Sequence, residues 1–400
     1  MTSSSQRPAG DLTCRAWAEF DLAVLRANLR ELRRRLGRPA EVISSVKADG
    51  YGHGATEVAR SLDSEGILAL ATGTLSEAVE IRQAGITTPV LLFPGYLADA
   101  VPTILEHDLM PSVDRIELAQ AISAQASGAV RVWVKVDAGL GRHGVLLDDA
   151  LDFIVALTAL PNIKLEGIFT HLPFVDEAGK RWAADRIAQF EALLRAAAAA
   201  GRSPTWSQAL SSVGALSGLA DPTSAICPGH ALYGIPAAEP EVLDMQGLDP
   251  VACSIRTRLA HVIRHREPRA AGVGGSRRIE AGAVTGVVPL GRRDGYRWLA
   301  QEPAVMLVRG RRARVVGLSL EHVMLDLTPV ADAQPGEEVA ALGEQGDERI
   351  ALADLARWRG STPVETLLDF SGRIAARYLN GTASGEVSPP DHVDRAGNAP

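Results

Sequence analysis

Apolar and polar positions along the 400-residue chain fall into two kinds of run. Short strand-like stretches rich in apolar residues lie at 41–47, 67–72, 89–93, 109–113, 130–137, 164–170, 205–210 and 225–227. A strand buried on both faces needs a continuous apolar run of this length. Between most of them come stretches with helical apolar spacing, such as 76–84, 115–125, 148–159 and 180–200. Eight such strands with helices between them predict an α/β fold, a parallel TIM-like (β/α)8 barrel. Ahead of it, 15–20 alternates like a strand, and Asp21 is placed to cap a helix running to Arg35. After about residue 245 the pattern changes. The runs 251–264, 283–290, 304–309, 312–318, 322–327 and 338–342 are separated by Gly, Pro and charged turns, which predicts a smaller β-rich C-terminal domain. The expected division is a disordered polar leader over 1–11, the barrel over 12–245, the β-rich domain over 246–380 and a disordered tail over 381–400.

Composition narrows the function. Apolar residues make up 46% and charged residues 22%, as in an ordinary globular chain. A net charge of −7 argues against nucleic acid as a partner. The three cysteines, Cys14, Cys227 and Cys253, are too few and too scattered for a disulfide framework or a zinc cluster, so no metal site is expected. No apolar run reaches transmembrane length, and 1–10 lacks the apolar core of a signal peptide. The expectation is a soluble, cytoplasmic protein without a membrane partner.

One stretch carries the chemistry. The apolar strand from Glu41 gives out at Lys47, inside Val46-Lys47-Ala48-Asp49-Gly50-Tyr51-Gly52-His53-Gly54. A lysine there is either a solvated residue at a strand end or a desolvated amine that holds an aldehyde cofactor as a nucleophile. The nine-residue run resembles the cofactor-lysine motif of the alanine racemase family, fold type III enzymes that use pyridoxal 5′-phosphate (PLP). The resemblance covers roughly 12–378. It implies a barrel followed by a β domain, with the first strand, about 15–20, joining the β domain. It also implies an amino-acid substrate and a head-to-tail homodimer in which the partner's β domain completes each site.

Residue by residue, the resemblance assigns the cofactor phosphate to Tyr51, to Ser212 and to the amides of Gly229 and His230. Taken alone, Ser212 reads equally well as a helix cap. His171, at the end of a strand, matches a histidine that packs on the cofactor ring. The run Val134-Lys135-Val136-Asp137-Ala138-Gly139-Leu140-Gly141-Arg142-His143-Gly144 resembles a second family signature. There Arg142 matches the arginine near the substrate carboxylate, and Lys135 a lysine that is carbamylated in some members. The expected catalytic set is Lys47, Arg142 and His171.

The chain departs from the pattern at functional places. Cys227 stands where the family has an arginine facing the pyridine nitrogen, and a neutral thiol cannot replace that charge. Inverting Cα needs two acid/base groups, one on each face. Lys47 is one, but the tyrosine expected as the other falls on Gly275. Further along, Arg292 replaces a pocket tyrosine, Leu320-Glu321 replaces a Met-Asp pair beside His322, and Gly372 replaces a tyrosine on the phosphate. These changes predict a roomier pocket suited to a larger or more acidic substrate than alanine, unless Arg292 pairs with Asp294 or Glu321 instead. Tyr296, His322 and Ser276 are the candidate replacement acids. The expected function is a PLP-dependent racemase-like enzyme acting at Cα; decarboxylation or elimination, or cofactor binding without catalysis, are the alternatives.

Overall fold

The structure, a computed structural model, describes residues 15–37, 39–271, 277–299 and 302–381. The expected leader over 1–11, the expected tail beyond 381, Cys14, Gly275 and Ser276 lie outside the described residues. The chain forms two compact units, one spanning Leu22–Val251 and one joining the first strand to the chain from Ala252 onward.

In the first unit the strands are β2 (Glu41–Ser45), β3 (Ala69–Thr72), β4 (Val90–Leu92), β5 (Met110–Val113), β6 (Val130–Asp137), β8 (Ile163–Phe169), β9 (Trp206–Ser211) and β10 (Ala225–Cys227). A two-residue strand, β7 (Val145–Leu146), attaches to β6. The eight pair in parallel in the order β5-β4-β3-β2-β10-β9-β8-β6, and pairing of β5 with β6 closes the barrel. The helices are α1 (Leu22–Arg35), α3 (Ala55–Asp63), α4 (Leu75–Gln83), α5 (Val101–Glu106), α6 (Ile116–Gln125), α7 (Ala150–Thr158), α8 (Glu177–Ala199) and α9 (Ser212–Leu216), with a special turn, α2 (Lys47–Gly52), after β2. Thr74 and Asp176 cap α4 and α8 through their side-chain oxygens.

Inside the barrel, Ile43, Ala69, Ala71, Leu91, Met110, Trp133, Phe169 and Ala225 pack into one cluster. The small members make room for Trp133. A Cβ added at Gly167 would lie 2.3 Å from its ring. Burial of this kind, on the inside against side chains and on the outside against helices, is why the strands read as apolar-rich runs.

The second unit is a ten-stranded sheet built on β1 (Ala16–Asp21), which lies between β11 (Ala252–Arg258) and β21 (Ala375–Leu379). Its other strands are β12 (His261–Arg264), β15 (Val284–Val288), β16 (Val305–Val308), β17 (Arg311–Leu318), β18 (Val323–Asp326), β19 (Glu338–Gln345) and β20 (Glu348–Ile350). A separate ladder pairs β13 (Arg269–Ala271) with β14 (Arg277–Ile279). The run 251–264, expected as one strand, is two, turning at Leu259 and Ala260. Two helices, α10 (Leu352–Arg359) and α11 (Pro363–Phe370), were not expected. Buried Arg256, 5% exposed, pins this unit through Glu19 and Glu338 at 3.4 and 2.5 Å.

Candidate active site

The segment that carries Lys47 folds in a way that only its glycines hint at. The strand ends at Ser45, and from Ala48 through Tyr51 four successive residues have φ between 53° and 59°. This is a left-handed helical turn. It costs roughly 1–2 kcal/mol for each of the non-glycine residues Ala48, Asp49 and Tyr51, so the surroundings must hold it. The Asp49 N–H donates to Glu77 Oε1 at 2.7 Å, and the Thr72 hydroxyl donates to Oε2 of the same carboxylate. Asp49 Oδ1 in turn accepts the Ala55 N–H at 2.9 Å, tying the turn to α3. Beneath it the rings of His230, Tyr51, Tyr233 and His53 contact one another in series at centroid distances of 5.0, 5.0 and 4.8 Å. The Tyr233 hydroxyl donates to Ser45 O at 3.0 Å.

This turn and the loops at the C-terminal ends of the barrel strands enclose a cavity of about 440 Å³. All the candidates taken from the barrel line it: Lys47, Tyr51, Arg142, His171, Ser212, Cys227, Gly229 and His230, together with Lys135. No carboxylate lines it among the described residues. Burial pulls Lys47 below the ordinary lysine value; Cys227 opposes this shift and Arg142 reinforces it. Burial likewise pushes the Cys227 thiol up to about 12 despite Lys47, and the Tyr51 phenol up to about 12 despite the Ser45 hydroxyl. His171 is driven down to about 3 by burial and then by Lys135, Lys47, Arg142 and His230, so it is neutral at pH 7. His230 is lowered by burial and by Lys47.

Arg142 is presented by a turn built on Asp137, whose carboxylate accepts the N–H groups of Gly139, Leu140 and Gly141 at 2.7–2.8 Å. Burial would raise the Asp137 carboxyl, but these donors and Lys135 outweigh it and hold it below its ordinary value. Lys135 is almost fully buried, its Nζ 5.1 Å from the Phe169 ring centroid.

Ser212 does what a cap does, but across 17 positions. Its Oγ accepts the Gly229 N–H at 2.9 Å and the Ala231 N–H at 3.2 Å. The Gly229 amide is therefore engaged rather than open, and the Ser212 proton is left to be donated elsewhere. Gly229 itself touches Tyr51: an added Cβ would sit 2.1 Å from the phenol oxygen.

Arg292, Leu320, Glu321 and His322 lie on two neighbouring loops of the β-rich unit. The Arg292 and Arg293 N–H groups donate to Ser319 O and Leu320 O, and the Ser319 N–H to His322 O at 2.8 Å. Glu321 pairs with Arg293 at 3.1 Å and with Arg15 at 3.9 Å, not with Arg292. Asp294 accepts the Gly291 N–H. Arg292 is exposed and makes no ion pair among the described residues, and Leu320 is 70% exposed. Tyr296 is sealed in the core at 1% exposure, so this candidate acid has no path to a substrate.

The family model for the alanine racemase N-terminal domain matches residues 20–237, and that for the C-terminal domain matches 252–378. The chain belongs to the alanine racemase family. It is 32% identical over 369 residues to an alanine racemase of Desulforamulus reducens, a match covering 91% of this chain and 98% of that protein. With one from Sorangium cellulosum the identity is 33% over 375 residues, covering 90% and 98%. The crystal structure of alanine racemase from E. faecalis has the same fold at a TM-score of 0.84, with 27% identity over 92% of this chain and 99% of that one. This makes the chain an enzyme of racemase type, in a PLP-dependent family whose barrel and β domain it shares throughout. Among the described residues no helix is long and apolar enough to cross a membrane, and no group of three or more His, Cys, Asp or Glu side chains could hold a metal ion.

Proposed function

We propose that the chain is a PLP-dependent isomerase that inverts Cα of an amino acid, with the cofactor carried on Lys47. What carries this reading is the buried Lys47 amine, held below its ordinary pKa in a cavity with cationic walls and no carboxylate. The lining suits a phosphorylated aldehyde. Its size is that of a small-cofactor site, the buried Thr170 hydroxyl has no partner among the described residues, and Gly229 leaves room for the Tyr51 phenol beside it.

When bound, PLP draws electron density away from Cα and makes its proton labile. Tyr51, the Ser212 hydroxyl and the His230 amide would hold the phosphate, and neutral His171 would face the ring without adding charge. Cys227, protonated at pH 7, offers the ring no cation where the family has arginine. Arg142 holds the substrate carboxylate. Lys47 Nζ, its pKa lowered by burial, is the nucleophile and one of the two proton-transfer groups. Lys135, brought to about 7 by burial, has a neutral amine able to take up CO2, which would set an anion under Arg142.

A head-to-tail homodimer brings the partner's β-rich unit, with Arg292, Leu320, Glu321 and His322, over this cavity. The exposed Arg292 and Leu320 fit that role, and unpaired Arg292 favours a substrate larger or more acidic than alanine. The free thiols Cys227 and Cys253 suit a reducing cytoplasm. The test is deuterium uptake and inversion at Cα across a panel of L- and D-amino acids in heavy water. Exchange and inversion of a bulkier or acidic amino acid faster than of alanine is expected. A PLP-loaded protein that exchanges none of them would overturn the reading.

A further inference from the structure

Inversion at carbon needs a second proton-transfer group facing Lys47, and the barrel supplies one that the reading so far leaves unused. His143 lines the cavity with Lys47. Its Nδ1 lies 3.5 Å from Oδ2 of Asp114, whose side chain is only 10% exposed. Asp114 is itself anchored, since Arg115 Nη1 is 3.4 Å from Oδ1 while Arg115 Nη2 donates to Tyr96 O at 2.7 Å. A carboxylate 3.5 Å from Nδ1 favours the imidazole tautomer with its proton on that nitrogen, which leaves Nε2 to exchange protons.

The topology places this group across from the lysine. Lys47 follows β2 and His143 follows β6. In the closed order the two strands are four steps apart in either direction, through β3, β4 and β5 or through β10, β9 and β8. The two side chains therefore enter the cavity from opposite walls. Three other protic groups of the lining suit the role less well. The Tyr51 phenol and Cys227 thiol are held at about 12, and His171 at about 3 has no proton to give at pH 7.

We propose that His143, oriented by Asp114, is the second proton-transfer group of the cavity, resting on the racemase reading above. In one direction Lys47 Nζ takes the Cα proton as the Cα–H bond breaks and its electron pair stays with the carbon side. A new Cα–H bond then forms on the opposite face with the Nε2 proton of the doubly protonated His143 imidazolium, which is left as the neutral Nδ1–H imidazole, and solvent restores both groups. The reverse direction exchanges their roles. Asp114 is a positioning residue.

Two measurements test this, and the first needs neither cofactor nor substrate. In ¹⁵N-histidine NMR of the cofactor-free protein at about pH 8.5, well above the ordinary imidazole value, His143 carries its proton on Nδ1, and Asp114→Asn moves it toward Nε2. In the PLP-loaded His143→Gln protein, racemisation falls by roughly 10²–10⁴. Deuterium uptake persists from one enantiomer and is lost from the other, with KM little changed; His143→Ala behaves alike. A wild-type His143 protonated on Nε2 overturns the proposal while leaving the racemase reading intact. Uptake kept from both enantiomers in His143→Gln, or lost equally from both with PLP still bound, also overturns it.

Discussion

Replacing Lys135 with methionine keeps an unbranched stem in the pocket and removes its titration. Lys135 is 3% exposed, and its amine lies at about 7 instead of 10.5, first because of burial, with Arg142 adding to the shift and Asp137 opposing it. At about 1.4 kcal/mol per tenfold, that gap is a folding penalty of about 5 kcal/mol. The sign follows from where the proton sits. Below pH 7 the amine is charged in both folded and unfolded chains, and the whole penalty stands. Between about 7 and 10.5 the unfolded chain alone retains the proton, so the penalty shrinks as pH rises, and above 10.5 it is gone. Urea unfolding of the cofactor-free proteins in CO2-free buffer reads this directly. The stability advantage of Lys135→Met over the wild type is expected to be roughly 3–4 kcal/mol larger at pH 7 than at pH 10. A difference that does not change between those pH values refutes the claim of a desolvated Lys135. Added ¹³C-bicarbonate is expected to give a carbamate resonance on the wild type that Lys135→Met lacks.

Other outcomes follow from single contacts. Gly229→Ala drives a methyl to 2.1 Å from the Tyr51 oxygen, and the Tyr51 ring is held between His230 and Tyr233. The expected loss is about 1–3 kcal/mol; in the Tyr51→Ala background the same change costs almost nothing, as a double-mutant cycle by urea unfolding will show. Glu77→Ala removes the acceptor of the Asp49 N–H and frees the left-handed turn. Hydrogen exchange of the 47–54 segment is expected to quicken by roughly tenfold or more, matching the 1.5–3 kcal/mol of a charge-assisted bond, with Glu77→Gln between the two.

Much of the fold could be read from the chain because burial on two faces leaves a visible trace. The eight apolar runs became β2 to β6 and β8 to β10, even where the strand has three residues, as in Val90–Leu92 and Ala225–Cys227. The helices α10 and α11 carry local marks, Gly360 as a left-handed C-cap and Thr362 with Glu365 as a capping box. The break between β11 and β12 had no such mark, since Leu259 and Ala260 are ordinary strand residues. In the site, motif residues close in sequence were recognisable, whereas contacts made by the barrel's closure were not. Nothing in the spacing ties Glu77 to Asp49 or Asp114 to His143, and Ala48, Asp49 and Tyr51 do not advertise a left-handed turn.

The most direct measurement is borohydride reduction of the protein after saturation with PLP, followed by peptide mapping. A single pyridoxyl group on Lys47, absent from Lys47→Ala, is the expected result. A protein that stays colourless with PLP and yields no modified peptide, or one modified at another lysine, would contradict it.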